Sequence, residues 1–276
     1  MNIFKERCIK LRQSDHTILE ISRITGRPKS SVYFHIKNIP LSLEKQRSIK
    51  TNYALRISAF STARKGKSVR KFKKITKWNE DLVNLISHFI FDGEIKHSGC
   101  VYNNRNQALL DRVEISMKHL YEFKPIKYTN PLTGVKRISY FNVALSIYFK
   151  KKSLELLKKI AHLPRPLKRA FLMAFFDDEG CVDFRKQKHM RRVRGYQKNV
   201  DILVLVKKIL NEFDIFSMIH KPNEIVMTGK TNLEKFQKEI GFSPGVCING
   251  HRSNSIWKKS LEKRCLLDRA IKSFKS

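Results

Sequence analysis

The sequence predicts an α+β molecule of two tandem halves, each running helix, strand, strand, helix, strand, strand, helix (αββαββα), related by a pseudo-twofold axis and preceded by a small all-α unit. Three observations predict it. Two long apolar helices each end in an acid and a glycine, at DLVNLISHFIFDG (81–93) and PLKRAFLMAFFDDEG (166–180). The same alternation of strand-like and helix-like segments follows each of them. The first 40 residues read as short helices separated by turn residues.

In the all-α unit, assigned to residues 1–42, Ile3, Cys8 and Leu11 give helical spacing before Ser14-Asp15 interrupts. His16 to Thr25 places Ile18, Leu19, Ile21 and Ile24 on a helix with one buried face. Gly26 suits the left-handed turn that ends it. Pro28 sits well at a first helical position, and Val32 and Ile36 point inward from Lys29 to Asn38. Residues 43–79 form a basic linker. Positions 45–79 hold twelve Lys or Arg and no Asp or Glu, so the stretch from Arg64 to Lys77 is expected to be extended or mobile. Tyr53, Leu55, Ile57 and Phe60 support a helix near its middle.

The first half covers 80–164 and the second 165–254. After the acid–Gly helix come two basic strands, GEIKHSGCVYNN and GCVDFRKQKHMRRVRGY. A second helix follows, NQALLDRVEISMKHLYEF and NVDILVLVKKILNEF. Then come KPIKYTN with RISYFNVALSIYF, and SMIHKP with EIVMTG, read as strands. The closing helices are KKSLELLKKIAHL and KTNLEKFQKEIGF, which superimpose with Lys151 on Lys230 and Leu154 on Leu233. Residues 255–276 are assigned to one more basic helix, over Ser255 to Phe274.

The chain has 276 residues, with 57 Lys plus Arg against 24 Asp plus Glu, a formal charge of +33. Such an excess points to a polyanion, most often nucleic acid. Five scattered cysteines without a CxxC pair fit a reducing compartment and exclude a four-cysteine zinc module. Cys247 and His251 are close but have no partner pair. The apolar runs are too short for a membrane span, and the N-terminus lacks a signal-peptide core, so the expected location is cytoplasmic, associated with a prokaryotic nucleoid. Neither a P-loop nor GxGxxG is present.

The two acid–Gly helices carry the chemistry. Leu82, Leu85, Ile86 and Phe89 form a core face in the first, and Leu167, Phe171, Ala174 and Phe175 in the second. Small residues, Ser87 and Ala174, allow close approach. Gly93 and Gly180 are expected to end the helices in the left-handed conformation, leaving Asp92 and Glu179 in the last turns. Carboxylates there oppose the helix dipole and are better tolerated beside a cation. If the helices pack in parallel, the two acids converge and make a Mg²⁺ (or Mn²⁺) site.

LISHFIFDG (Leu85 to Gly93) and LMAFFDDEG (Leu172 to Gly180) resemble the nine-residue motif of the LAGLIDADG homing endonucleases. The second match is the stronger. The first departs at Ile86, His88 and Ile90 and keeps its eighth-place acid, Asp92. The resemblance covers about 80–276. It implies two halves whose sheets form a DNA-binding saddle, with Asp92 and Glu179 as catalytic metal ligands. It also implies a basic residue late in each half beside the scissile phosphate, for which Lys151 and Lys230 are the candidates. His88 and Asp177 are expected to be structural.

Arg185, Lys186, Lys188, Arg191, Arg192, Arg194 and Lys198 crowd one predicted hairpin, and Lys96, Asn103, Asn104, Arg105, Asn106 and Gln107 occupy the matching stretch. Lys and Arg suit phosphates, and Asn, Gln and Arg read base edges. Tyr102, Phe184 and Tyr196 are expected to be sheet residues. The N-terminal stretch TILEISRITGRPKSSVYFHIKNI resembles a helix-turn-helix, with Lys29, Ser30, Ser31, Tyr33, Phe34 and His35 placed to face a groove. The expectation is therefore a monomeric, metal-dependent endonuclease that cuts both strands of a specific DNA site. The alternatives are a non-catalytic transcription regulator and a maturase that acts on intron RNA.

Overall fold

The computed structural model describes residues 3–64, 71–220, 222–250 and 256–275. The chain divides into two compact units, Met1–Ser68 and Val69–Ser276.

The first unit opens with three short helices, α1 (Ile3–Gln13), α2 (Ile18–Thr25) and α3 (Lys29–Ile36). Cys8, Ile21, Val32 and Ile36 form its core, with Phe4, Leu11 and Ile18 packed around them. Ile3 does not join this core and is exposed. Thr17 and Glu20 cap α2 reciprocally, a pattern in which two orphan amides at the helix start are satisfied at once. Gly26 takes the left-handed conformation the sequence predicts, at φ +66°. Pro28 sits one place earlier than expected, at the N-cap of α3. The linker is more helical than its charge implies: α4 spans Leu43–Arg64.

Residues 71–79 are not a loose continuation of the linker. Phe72 packs against Tyr121, Phe123 and Tyr148. The Tyr148 hydroxyl accepts from the Ile75 amide (3.2 Å) and donates to its carbonyl (2.8 Å). Lys152 lies 4.2 Å from the Trp78 ring centre and donates to the Thr76 carbonyl. Aromatic anchors hold the strap that the charge count left free.

The second unit has the predicted duplication. Its first half runs α5 (Glu80–Phe91), β1 (Gly93–Lys96), β2 (Gly99–Asn104), α6 (Gln107–Tyr121), β3 (Ile126–Thr129), β4 (Lys136–Tyr140) and α7 (Val143–Lys159). The second runs α8 (Arg165–Glu179), β5 (Gly180–Arg185), β6 (Met190–Tyr196), α9 (Val200–Asn211), β7 (Met218–His220), β8 (Glu224–Thr228) and α10 (Lys230–Glu239). Both sheets are antiparallel and share one strand order, β1-β2-β4-β3 and β5-β6-β8-β7. One contiguous core runs through both halves.

Two boundaries differ from expectation. The segment RISYFNVALSIYF leaves the sheet at Tyr140, and α7 starts at Val143, capped by the Asn142 side chain accepting from the Leu145 amide at 3.0 Å. Its buried Leu145, Tyr148, Phe149 and Leu156 follow helical spacing, and that packing overrides the strand preference of Val, Ile and Tyr. The C-terminal helix, α11, is confined to Lys263–Lys272, and residues 256–262 precede it without helix. Ser255 lies outside the described residues. Among the described residues no helix is long and apolar enough to cross a membrane.

Candidate active site

Helices α5 and α8 pack directly, with their C-terminal ends together: Phe91 meets Phe171 and Phe175 at ring separations of 5.4 and 5.1 Å, and His88 meets Asp178. Ser87 and Ala174 are fully buried, as close approach requires. Each helix feeds directly into the first strand of its sheet. Gly180 is therefore extended (φ −88°), and neither motif glycine takes the left-handed conformation. Glycine is needed for a different reason. A Cβ at Gly93 would strike the Phe89 backbone, and one at Gly180 the Phe176 carbonyl.

This turn leaves Asp92 and Glu179 at neighbouring tips. Burial, then the charge of Asp178, pushes the Asp92 carboxyl up to about 7, against the opposing pull of Lys263, His88 and Asn104. Burial, then the charges of Asp92 and Asp178, pushes Glu179 up to about 8, again against Lys263. Asn104 Nδ2 donates to Asp92 Oδ2 at 2.7 Å. Among the described residues Glu179 has neither a hydrogen-bond partner nor an ion-pair partner. Two carboxylates are thus held close to neutral beside one another, a state that a dication would relieve.

Beneath the tips lies a polar network of His88, Tyr102, Asn104 and Asp178, which places Asn104 at the acids rather than at base edges and adds Asp178, a residue that the motif does not mark. His88 Nδ1 meets Asp178 Oδ2 at 2.8 Å, both side chains being fully enclosed. The Tyr102 hydroxyl donates to Asp178 Oδ1 at 2.6 Å, and Asn104 Nδ2 also approaches that hydroxyl at 3.3 Å. Burial pulls the His88 imidazole down, but the adjacent Asp178 carboxylate outweighs it and lifts the ring above its ordinary range. Burial and Asp178 push Tyr102 well up, so it remains a donor. Asp178 was legible in principle. It follows Phe171, Ala174 and Phe175 by seven, four and three residues, which puts a carboxylate on the helix–helix face, where it needs a partner.

Asp177 and His88 are both buried. Asp177 Oδ1 accepts from the Ser243 amide at 2.9 Å. The cation below the tips is Lys263, buried on α11, which donates to the Phe176 and Asp177 carbonyls at 3.1 and 2.6 Å and so satisfies the end of α8. Burial pulls its ammonium down. Lys151 and Lys230 do not stand at matching places. Lys230 opens α10, whereas Lys151 lies well inside α7, because α7 begins at Val143. Lys151 is exposed, and Lys230 pairs with Glu234 at 4.0 Å.

The predicted basic hairpin sorts by strand register. Asp183 pairs with Arg192, Cys181 with Arg194 and Arg185 with Met190 across β5 and β6, which sets Arg185, Arg192 and Arg194 on the face opposite the buried Val182 and Val193. Arg191 belongs to the other face, a correction. It donates to Ser273 Oγ and to the Ser273 carbonyl (2.6 and 3.0 Å) and lies over the Phe274 ring. Lys186, Lys188 and Lys198 are exposed in the adjoining turns. In the first half Lys96 pairs with Glu94, Arg105 is exposed, and Gln107 bridges Asp111 and Lys136. Tyr102 is core, Tyr196 is half-exposed and Phe184 packs beside Trp257. In the first unit Lys29, Ser30, Ser31, Tyr33 and Phe34 are exposed on α3, and His35 is partly used for packing against Phe4. His251 lies outside the described residues.

The sequence of residues 166–241 matches the family described as the LAGLIDADG-like domain. This segment is similar to a LAGLIDADG-like domain. The match covers α8 to α10 and leaves the more divergent first half outside. Among solved structures, the chain is similar to variants of the homing endonuclease I-DmoI (16% identical over 58% of this chain and 88% of that one, TM-score 0.46). It is also similar to I-DmoI in complex with DNA and Mn (16%, 59% and 96%, TM-score 0.45). A third is full-length DUF199/WhiA from Thermatoga maritima (13%, 74% and 63%, TM-score 0.48). No curated protein sequence matches the chain. Within the matched segment the eighth-place acid of the motif-like stretch is Glu179, and Asp92 is its counterpart in the duplicated half.

A divalent cation fits the chemistry of this pair. Among the described residues no three or more His, Cys, Asp or Glu side chains gather in metal-binding geometry, so the tips supply two carboxylates. Mg²⁺ is commonly held by one or two carboxylates, with water and phosphate oxygens completing its shell.

Proposed function

We propose that the protein is a metal-dependent, site-specific endonuclease of the homing type, which hydrolyses phosphodiesters in both strands of duplex DNA. One observation carries this reading. Asp92 and Glu179, the acids of two duplicated helices, converge in a partly buried site where both are driven toward the neutral form and, among the described residues, neither meets a cation by direct contact. They would hold Mg²⁺ or Mn²⁺, and the metal would supply charge stabilisation at the phosphate and activation of water.

The chain's own residues do the rest. Asn104 fixes the orientation of Asp92, and Tyr102 and His88 hold Asp178 beneath it. The open sheet face with Arg185, Arg192 and Arg194, the turn lysines Lys186, Lys188 and Lys198, and on the first half Lys96, Arg105 and Gln107, would contact backbone and bases. The exposed side of α3 would extend the footprint through Lys29, Ser30, Ser31 and Tyr33. A single chain with internal pseudo-symmetry suits an asymmetric site bound as a monomer.

The exposed α3 equally favours a second reading, a non-catalytic DNA-binding regulator. One experiment separates the two. The protein is incubated with Mg²⁺ and a randomised duplex library, and the ends are sequenced. Defined ends from the wild type, with Asp92→Asn and Glu179→Gln binding but not cutting, support the nuclease. Cutting by both variants at the original rate rejects the assigned acids. Selective binding without ends supports the regulator, and preference for structured RNA supports a maturase.

A further inference from the structure

An acid lies among the arginines on the open face of the second sheet. Asp183 is buried on β5, and three arginines of the same sheet face surround it. Arg192 donates to Asp183 Oδ2 through both Nε (3.1 Å) and its terminal nitrogen (2.9 Å). Arg185 Nε lies 3.3 Å from Oδ1, and Arg194 Nε 3.7 Å from Oδ2. Arg194 also donates to Glu224 at 2.7 Å. The Nε groups of Arg185 and Arg194 are enclosed without a hydrogen-bond acceptor. The first half has no such device. The first residue of each sheet is Gly93 or Gly180, so the place of Asp183 is taken there by Lys96.

A patch made only of arginines binds any phosphate backbone and carries no sequence information. An acid held under three guanidiniums does two things. It removes charge, which weakens attraction to DNA in general. It also fixes the planar forks in direction, and direction is what bidentate reading of guanine O6 and N7 demands. We propose that Asp183 is a positioning residue for specificity, converting Arg185, Arg192 and Arg194 from phosphate binders into oriented readers of base edges in the major groove, guanine above all. The inference rests on the DNA-binding reading given above.

The test uses the full chain, the duplex that the wild type selects from a randomised library, and a scrambled duplex of equal length. Affinity for each is measured by fluorescence anisotropy over a salt series, without divalent metal. Asp183→Asn should bind the scrambled duplex about tenfold more tightly, and its preference for the selected duplex should fall about tenfold or more. Its salt dependence should steepen by about one phosphate contact. Asp268→Asn, which removes one charge from the partly exposed side of α11, should leave the preference unchanged. Arg192→Lys keeps the charge and loses the fork, so it should lower the preference at an unchanged salt slope, and it serves if Asp183→Asn fails to fold. Full preference in either folded variant overturns the proposal, as does an equal loss in Asp268→Asn. If the wild type selects no duplex, the DNA reading itself fails and takes this inference with it.

Discussion

The two helix tips share a backbone plan and differ in what supports them. Register makes the comparison exact in position: Gly93 pairs with Tyr102, and Gly180 with Gly195. Tyr102 and Asn104 of the first half therefore correspond to Gly195 and Gln197 of the second. In the first half they form the network that reaches Asp178 and Asp92. In the second, the Phe175 ring fills the space over Gly195, where a Cβ would come within 2.5 Å of it. Gln197 accepts from the Asn199 amide, as Asn104 does from the Asn106 amide, but among the described residues only Asn104 also donates to an acid at the tip. Asp92 is short and anchored, whereas Glu179 is longer and unanchored. Duplication kept the acids and the strand order and let the surrounding polar network diverge.

The largest expected effect tests what the tips share. Asp92→Asn and Glu179→Gln should each lower cleavage by more than about 100-fold, a loss larger than removal of a supporting partner brings. Affinity for DNA without metal should be kept. An effect confined to one variant would mean that a single tip serves the chemistry.

Next in size is the network that distinguishes them. Asp178→Ala leaves the enclosed His88 ring without its partner. Breaking a buried pair from one side costs about 3–5 kcal/mol. Urea unfolding should register that loss. A cost below about 1 kcal/mol would mean that the pair is not charged in the folded chain.

The metal-free protein should also respond to pH in a defined direction. Asp92 and Glu179 are raised to about 7 and about 8, so the folded chain keeps protons that the unfolded chain releases above about 4. The unfolded state then binds fewer protons, and stability falls as pH rises. The contribution of this pair is full below about pH 4 and is lost by the time pH passes about 8. Thermal unfolding should therefore drop by a few degrees from pH 5.5 to pH 9, and Asp92→Asn combined with Glu179→Gln should remove most of that drop. A saturating divalent cation should reduce it as well.

Much of this was legible from sequence, for physical reasons. The order of elements along each half and the helices α5, α6, α8 and α9 follow from apolar periodicity, which burial enforces. The start of α7 was missed because Val143, Ile147 and Tyr148 favour strands, although Asn142 was available as a cap. The acids Asp92 and Glu179 were visible because a motif marks them. Asp178 was overlooked between two marked residues, although its spacing from Phe171 and Ala174 placed it on the buried face. Tyr102 and Asn104 could not be read, because their role depends on the register that carries β2 past the tip of α5. Lys263 could not be read either, because it lies more than 80 residues from the carbonyls it caps.

The smallest effect sharpens the contrast most. Asn104→Ala removes the hydrogen bond to the Asp92 carboxylate, together with the contact to the Asn106 amide that Gln197 reproduces in the second half, and among the described residues it removes no contact to Glu179. Partners of this kind are worth about 10- to 100-fold in metal affinity when they orient a ligand. Gln197→Ala, at the matching place, removes only a turn contact. If anchoring is what separates the tips, Asn104→Ala should weaken Mn²⁺ binding about tenfold by calorimetry and slow cleavage of one strand more than the other, while Gln197→Ala should change neither. Equal effects of the two substitutions would show that the asymmetry of side chains does not reach the chemistry, and the tips would then have to be treated as one shared site rather than two unequal ones.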